Sequence, residues 1–320
     1  MMKQFLLAGW CLAATAPLSA AEFEFGGALE FEYADTRTEV GGVTEHQDAA
    51  YVATVELATG IRFNDNWRTD LVLLAEDIEN TDPAEFRPEL HATDDLPDKL
   101  HVEELVLTYA QGNTEASVGR YTLPFGDFET AVITDPQTLE IGETKTSLGA
   151  TVIHSWGPLS GQISWFNGNL RSTAPDESGY TAGLEYAVSD ALRLGGGYLS
   201  SQGAGEDAPS LWNVYAAGEQ GAWHWHAEYV AATDEENGEK PKAWSLDGGY
   251  AFNEQWAAGA RYQQTEQAGV LDAGNGNYEE WAVAGFYSPW RHVTLGVEYA
   301  NSEEGRSEAE QWLMQVAIDF

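Results

Sequence analysis

The chain has 320 residues, 52 of them Asp or Glu against 15 Lys or Arg, for a formal net charge of −37. A surface this acidic excludes nucleic acid as a partner, while 12 Trp, 14 Tyr and 12 Phe are too many aromatics for a disordered polyanion. Beyond the first twenty or so positions there is no run of about 18 apolar residues, which excludes a helical membrane protein.

In chain order, the sequence opens as a secretory signal peptide. Met1 to Lys3 is a basic start, Phe5 to Ala16 is apolar, and Ala16-Pro17-Leu18-Ser19-Ala20-Ala21 supplies small residues for cleavage. Cleavage after Ala20 or Ala21 removes Cys11, the single cysteine, leaving a thiol-free chain suited to an oxidising compartment. The expected division is a signal peptide over 1–21 and one β-barrel over 22–320.

Apolar residues then recur with a period of two. Phe23, Phe25, Leu29, Phe31 and Tyr33 alternate with Glu24, Gly26, Ala28, Glu30 and Glu32; Trp312, Met314, Val316 and Ile318 alternate with Leu313, Gln315, Ala317 and Asp319. Such alternation predicts half-buried strands. The intervening Gly, Ala, Ser, Thr and Glu are too small or too polar for a dry sandwich core and suit a wet interior.

About sixteen strands are predicted, near 22–35, 50–64, 67–78, 100–111, 114–125, 146–157, 159–170, 178–189, 192–202, 211–221, 223–234, 243–253, 256–267, 279–290, 292–303 and 308–320. Tight turns such as Asn64-Asp65-Asn66 and Asn253-Glu254-Gln255 alternate with longer, acidic connections at 36–49, 79–99, 126–145, 171–177, 203–210, 235–242, 268–278 and 304–307. Short turns at one end and long loops at the other predict a transmembrane antiparallel barrel of the bacterial outer membrane. Trp67, Trp156, Trp223, Trp256 and Trp290 beside the tight turns fit an interfacial girdle. The terminal Asp319-Phe320 resembles the C-terminal signal of outer-membrane proteins.

The connection after the fifth strand stands apart. It carries Phe128, Val132, Ile133, Leu139 and Ile141 among its acids, enough apolar surface to pack on something, and long loops of this kind are usually functional. It is the third long loop, which in general diffusion porins folds into the lumen and narrows it. The run Gly119-Arg120-Tyr121-Thr122-Leu123-Pro124-Phe125-Gly126-Asp127-Phe128-Glu129-Thr130, followed by Asp135-Pro136-Gln137-Thr138-Leu139-Glu140-Ile141-Gly142-Glu143-Thr144, resembles the LbtU family of siderophore porins. That resemblance implies passive, plug-independent uptake of an iron chelate. The expected constriction residues are Arg120, Asp127, Glu129, Asp135, Glu140 and Glu143.

Other constellations are weaker. His224 and His226 share a strand face with Glu228 and could bind a metal, but no spacing fixes a third ligand, and polar lumen lining is the preferred reading. No enzyme activity, cofactor or resident metal is expected. The expected partners are membrane lipid, lipopolysaccharide and a small solute such as a ferric siderophore; a general cation-preferring porin is the alternative, and a barrel enzyme or surface adhesin the alternative of another class. Cation preference is expected because a mouth lined by one sign of charge concentrates counter-ions.

Overall fold

The computed structural model describes residues 21–79, 100–142, 144, 147–167, 178–202, 210–233, 240–266 and 277–320. Residues 1–20 of the expected signal peptide and most of the long acidic connections lie outside the described residues. Those described form sixteen strands: β1 (Glu22–Val40), β2 (Val43–Arg62), β3 (Trp67–Glu79), β4 (Leu100–Gln111), β5 (Thr114–Tyr121), β6 (Ser147–Trp156), β7 (Leu159–Asn167), β8 (Ser178–Ser189), β9 (Leu192–Gln202), β10 (Leu211–Gln220), β11 (Trp223–Ala232), β12 (Lys242–Ala251), β13 (Trp256–Glu266), β14 (Asn277–Trp290), β15 (Val293–Glu304) and β16 (Ser307–Asp319). A short helix, α1 (Gln137–Gly142), interrupts the connection between β5 and β6.

Each strand pairs antiparallel with its sequence neighbours, and β1 closes the barrel on β16 from Ala28↔Asp319 to Val40↔Ser307. Closure leaves no strand edge around the wall, so the backbone groups that lipid cannot solvate are paired within it. The period of two then divides the side chains between two faces. One face exposes large apolar residues such as Leu105, Val118, Ile163, Leu184, Val214 and Leu246. The other buries Thr108, Ser164, Asn213, His226, Glu228, Asp247, Arg261, Gln263 and Glu298. An apolar outside and a polar inside are what a barrel in hydrocarbon requires.

Two expected loops are tight hairpins instead. β1 and β2 run on to Val40 and Val43 and meet through Gly41 and Gly42, both at positive φ; two successive left-handed residues make the turn whose twist suits a two-residue hairpin. Thr36, Thr38, Val40, Val43 and Thr44 beside this Gly-Gly pair are β-branched, so the strands continue rather than fray. At 304–307 the turn is Gly305-Arg306, again with a positive-φ glycine. At the opposite end two turns repeat one device: Asn64 Oδ1 accepts the backbone N–H groups of Asn66 and Trp67, and Asn253 Oδ1 those of Gln255 and Trp256. In both, the Asn caps the turn and delivers a Trp to the start of the next strand.

Aromatic rings mark two levels on the outer face. Trp67 packs with Tyr109, Trp223 with Tyr250, and Trp256 with Tyr287 at the tight-turn end, where Trp156 and Trp290 are also exposed. At the other level each strand from β7 to β16 contributes one ring: Trp165, Tyr180, Tyr198, Trp212, Tyr229, Trp244, Tyr262, Trp281, Tyr299 and Trp312. These join neighbour to neighbour by strand register or ring contact.

Candidate functional site

The segment from Thr122 to Gly142 builds the site. β5 ends at Tyr121, earlier than the expected 125, because Pro124 cannot donate to a ladder and Gly126 turns the chain at φ 79°. Leu123, Phe125 and Ile141 are buried in one cluster with Val106, Phe166, Leu199, Leu211 and Val230 of the inner face, and Phe128 packs beside them. Val132 forms a second cluster with Ala282, Ala284 and Ala300. Asp135-Pro136 leads into α1, where Leu139 N–H reaches back to Pro136 O at 2.9 Å. The apolar residues of the connection thus hold it against the inner face of the barrel.

Polar anchoring is more specific still. The backbone N–H groups of Asp127 and Phe128 donate to the Glu228 carboxylate at 3.2 and 2.8 Å, and Asn213 Nδ2 donates to it at 2.7 Å. Ala131 N–H and Thr130 Oγ1 both donate to Asp247 Oδ1 at 3.3 Å. Ile133 and Thr134 N–H share Glu298 Oε2 at 2.5 and 3.0 Å, while Thr134 Oγ1 donates to Glu298 Oε1 at 2.7 Å. Gln137 N–H ends the series on Gln263 Oε1 at 2.7 Å. A non-repetitive chain buried against a wall has backbone donors that need acceptors, and side chains of β11, β12, β13 and β15 supply them. Steric room is matched to this: a Cβ on Gly259 of β13 would stand 1.7 Å from Ala131 O, so only glycine admits the backbone there.

Two guanidiniums sit among these acids. Arg193 donates to Asp127 Oδ1 at 2.7 Å, to Glu185 Oε2 at 3.3 Å and to Glu129. Arg261 donates to Thr134 Oγ1 at 2.6 Å, to Glu280 Oε1 at 2.8 Å and to the Thr134 carbonyl. His226 Nε2 lies 3.2 Å from Asp127 Oδ2. Burial works against a charge on Asp127, yet the His226 imidazole and the Arg193 guanidinium outweigh it and hold this carboxyl below its ordinary range. On β1 to β4 the inner face carries Glu30, Glu32, Glu56, Asp70 and Glu104 by strand parity, and Asp135 is within electrostatic reach of Glu30.

The expected site residues separate accordingly. Asp127 and Glu129 meet on Arg193. Asp135 and Glu140 belong to the same segment and are exposed. Glu143 lies outside the described residues. Arg120 does not join the segment's acids: it pairs in register with Leu105 and Leu148, shares the outer face with Val118, and is exposed. The parity of Val118 therefore carries Arg120 outward. His224 and His226 do share the inner face with Glu228, but no group of three or more His, Cys, Asp or Glu able to hold a metal occurs among the described residues. The anchors Arg261, Gln263, Glu280 and Glu298 are absent from the expected set. For Arg261 and Glu298 the sequence signal is a lone polar side chain at inner parity between apolar neighbours, Ala260 and Tyr262 in one case and Val297 and Tyr299 in the other; Gln263 and Glu280 adjoin Gln264 and Glu279 and carry no such signal.

The sequence matches the family model described as Gram-negative porin over residues 8–307. The chain belongs to the Gram-negative porins. As such it resides in the bacterial outer membrane. No curated protein matches the sequence, but solved porins share the architecture. Salmonella typhi OmpF, solved in complex with daunomycin, superposes with a TM-score of 0.70 at 12% identity, covering 93% of this porin and 97% of that chain. The Acinetobacter baumannii outer membrane channel DcaP gives 0.67 at 16% identity over 94% and 97%. An anion-selective porin from Comamonas acidovorans gives 0.65 at 8% identity over 94% and 100%. At such identities the likeness concerns the fold.

Proposed function

We propose that this porin is a passive, plug-independent channel for small hydrophilic solutes, with a preference for cations, and that the 122–142 segment is its inward-folded constriction. The observation that carries this reading is the capture of the segment's backbone N–H groups by inner-face side chains, chiefly the carboxylates of Glu228, Asp247 and Glu298. A segment so held narrows the passage without sealing it. Arg193 and Arg261 face a clear excess of carboxylates from the segment and the wall, and one sign of charge between low-dielectric walls enriches counter-ions. The chemistry needed is solvation and charge, with no group acting as nucleophile or base.

Reconstitution into planar bilayers in a salt gradient tests it. Steady conductance with a cation-selective reversal potential is expected, and a closed enzyme barrel or an adhesin would give none. Neutralising Asp127, Glu129 and Glu140 together should move the reversal potential toward zero, since screening over about 10 Å at 0.1 M salt leaves nearby charges dominant. An anion-selective wild type, or an unmoved potential in the triple variant, would refute the assignment of the constriction.

A ferric siderophore as cargo is the narrower reading, and the motif resemblance supports it. Leu123, Phe125 and Ile141 of that motif are buried in the segment's own packing, so they bear on the shape of the constriction more than on contact with a solute. Uptake of a radiolabelled ferric siderophore by a deletion strain with and without this porin decides between specific and general passage.

A further inference from the structure

The 122–142 segment is tied to side chains of β11, β12, β13 and β15. In the closed ring β3 to β5 stand diametrically across from β11 to β13, so the open part of the lumen lies between the segment and the wall of β1 to β4. Both borders of that opening are acidic. On the segment, Asp127 and Glu129 are taken up by Arg193, while Asp135 and Glu140 are exposed. Thr138 and Ile141 of α1 are buried, and Glu140 follows Thr138 by about 200° of helix rotation, which turns it away from the wall. On the other border the inner face carries Glu30, Glu32, Glu56 and Glu104, and Asp135 is within electrostatic reach of Glu30. Glu104 also accepts the Thr122 N–H at the root of the segment.

The inner-face guanidiniums among the described residues are placed elsewhere. Arg62 and Arg68 pair with Glu22, Asp70 and Glu115 toward the tight-turn end. Arg193 is held by Asp127, Glu129 and Glu185, and Arg261, although within reach of Asp135, is engaged by Thr134 and Glu280. A solute in the opening therefore meets carboxylates on either side and no guanidinium free to receive an anionic end. We propose that this opening selects small linear dications over zwitterions of similar length, a substrate class that rests on the reading of 122–142 as the constriction. Enrichment by a potential is exponential in charge. A field that concentrates a monocation about threefold concentrates a dication about tenfold and leaves a zwitterion of zero net charge about unchanged.

Tracer flux into vesicles holding the full-length porin tests this, with putrescine as dication, choline as monocation and γ-aminobutyrate as zwitterion, and leakage into protein-free vesicles subtracted. Each flux at about 0.01 M salt is divided by the same flux at about 1 M, where screening over about 3 Å removes the field and solute size cancels. The normalised putrescine flux should exceed that of choline about threefold and that of γ-aminobutyrate about tenfold. The double variant Glu30→Gln, Glu56→Gln should lower the putrescine to γ-aminobutyrate ratio about threefold or more. Glu30→Arg, which sets a guanidinium opposite Asp135, should lower it further and raise γ-aminobutyrate flux above wild type. Heat-modifiable migration on gels verifies that each variant is folded. A cation-selective wild type whose normalised putrescine flux is no greater than that of choline overturns this proposal alone. So does a folded double variant with the wild-type ratio. A closed or anion-selective wild type overturns the constriction reading and this proposal with it.

Discussion

Glu298→Ala should loosen the proposed constriction while leaving the barrel intact. Glu298 is 1% exposed and accepts three hydrogen bonds from the segment: two backbone N–H groups and the Thr134 hydroxyl. Left buried without that acceptor, each donor would cost about 1–3 kcal/mol. Detachment lets water satisfy them, so the docked state loses the smaller amount, about 2–3 kcal/mol in all. That corresponds to roughly a 30- to 150-fold shift toward the detached segment. The strand ladder around Glu298 uses backbone groups only, pairing it with Ala284 and Leu313, so folding should survive. Single-channel recording should show larger mean conductance with added rapid current fluctuation, and Glu298→Gln should fall between the two. A Glu298→Ala pore with wild-type conductance and quiet current would refute the idea that wall carboxylates hold the constriction.

Gly259→Ala should produce a related effect by steric means, since its Cβ would collide with Ala131 O; the expected outcome is altered conductance with unchanged heat-modifiable migration. Leu246→Arg places a charge on the lipid face and should destabilise the barrel by about 2–4 kcal/mol near the midplane, whereas Asp247→Asn on the adjoining inner position should spare barrel stability and weaken the hold on Ala131. Denaturant-dependent unfolding in vesicles measures both. The Asp127 carboxyl is held below its ordinary range, so its contribution to docking is fully present above about pH 4, its unfolded range. It is lost as pH falls through the lower docked value. Current fluctuation should therefore rise only in strongly acidic solution, and Arg193→Gln should raise it already at neutral pH.

Much of this molecule is written in its alternation. Period-two patterning over Phe23–Tyr33 or Trp312–Ile318 requires one apolar and one polar face, and a wall of that kind longer than a few strands must close on itself in lipid; these facts determined barrel, compartment and approximate strand count. Turn chemistry was legible too, although the Gly41-Gly42 pair shows that a polar, charged stretch can still be hairpin when β-branched residues flank two glycines. The apolar content of 122–142 already indicated that it packs on something. Which wall residues hold it depends on strand register and barrel shear, which bring Glu228, Asp247 and Glu298 of three strands to one path a hundred residues or more away in sequence. Arg120 makes the same point from the other side. A charged residue beside a porin-like loop suggests the pore, yet its parity with Val118 and its register against Leu105 and Leu148 turn it outward. Alternation states that two faces exist; only pairing in three dimensions decides what each side chain meets there.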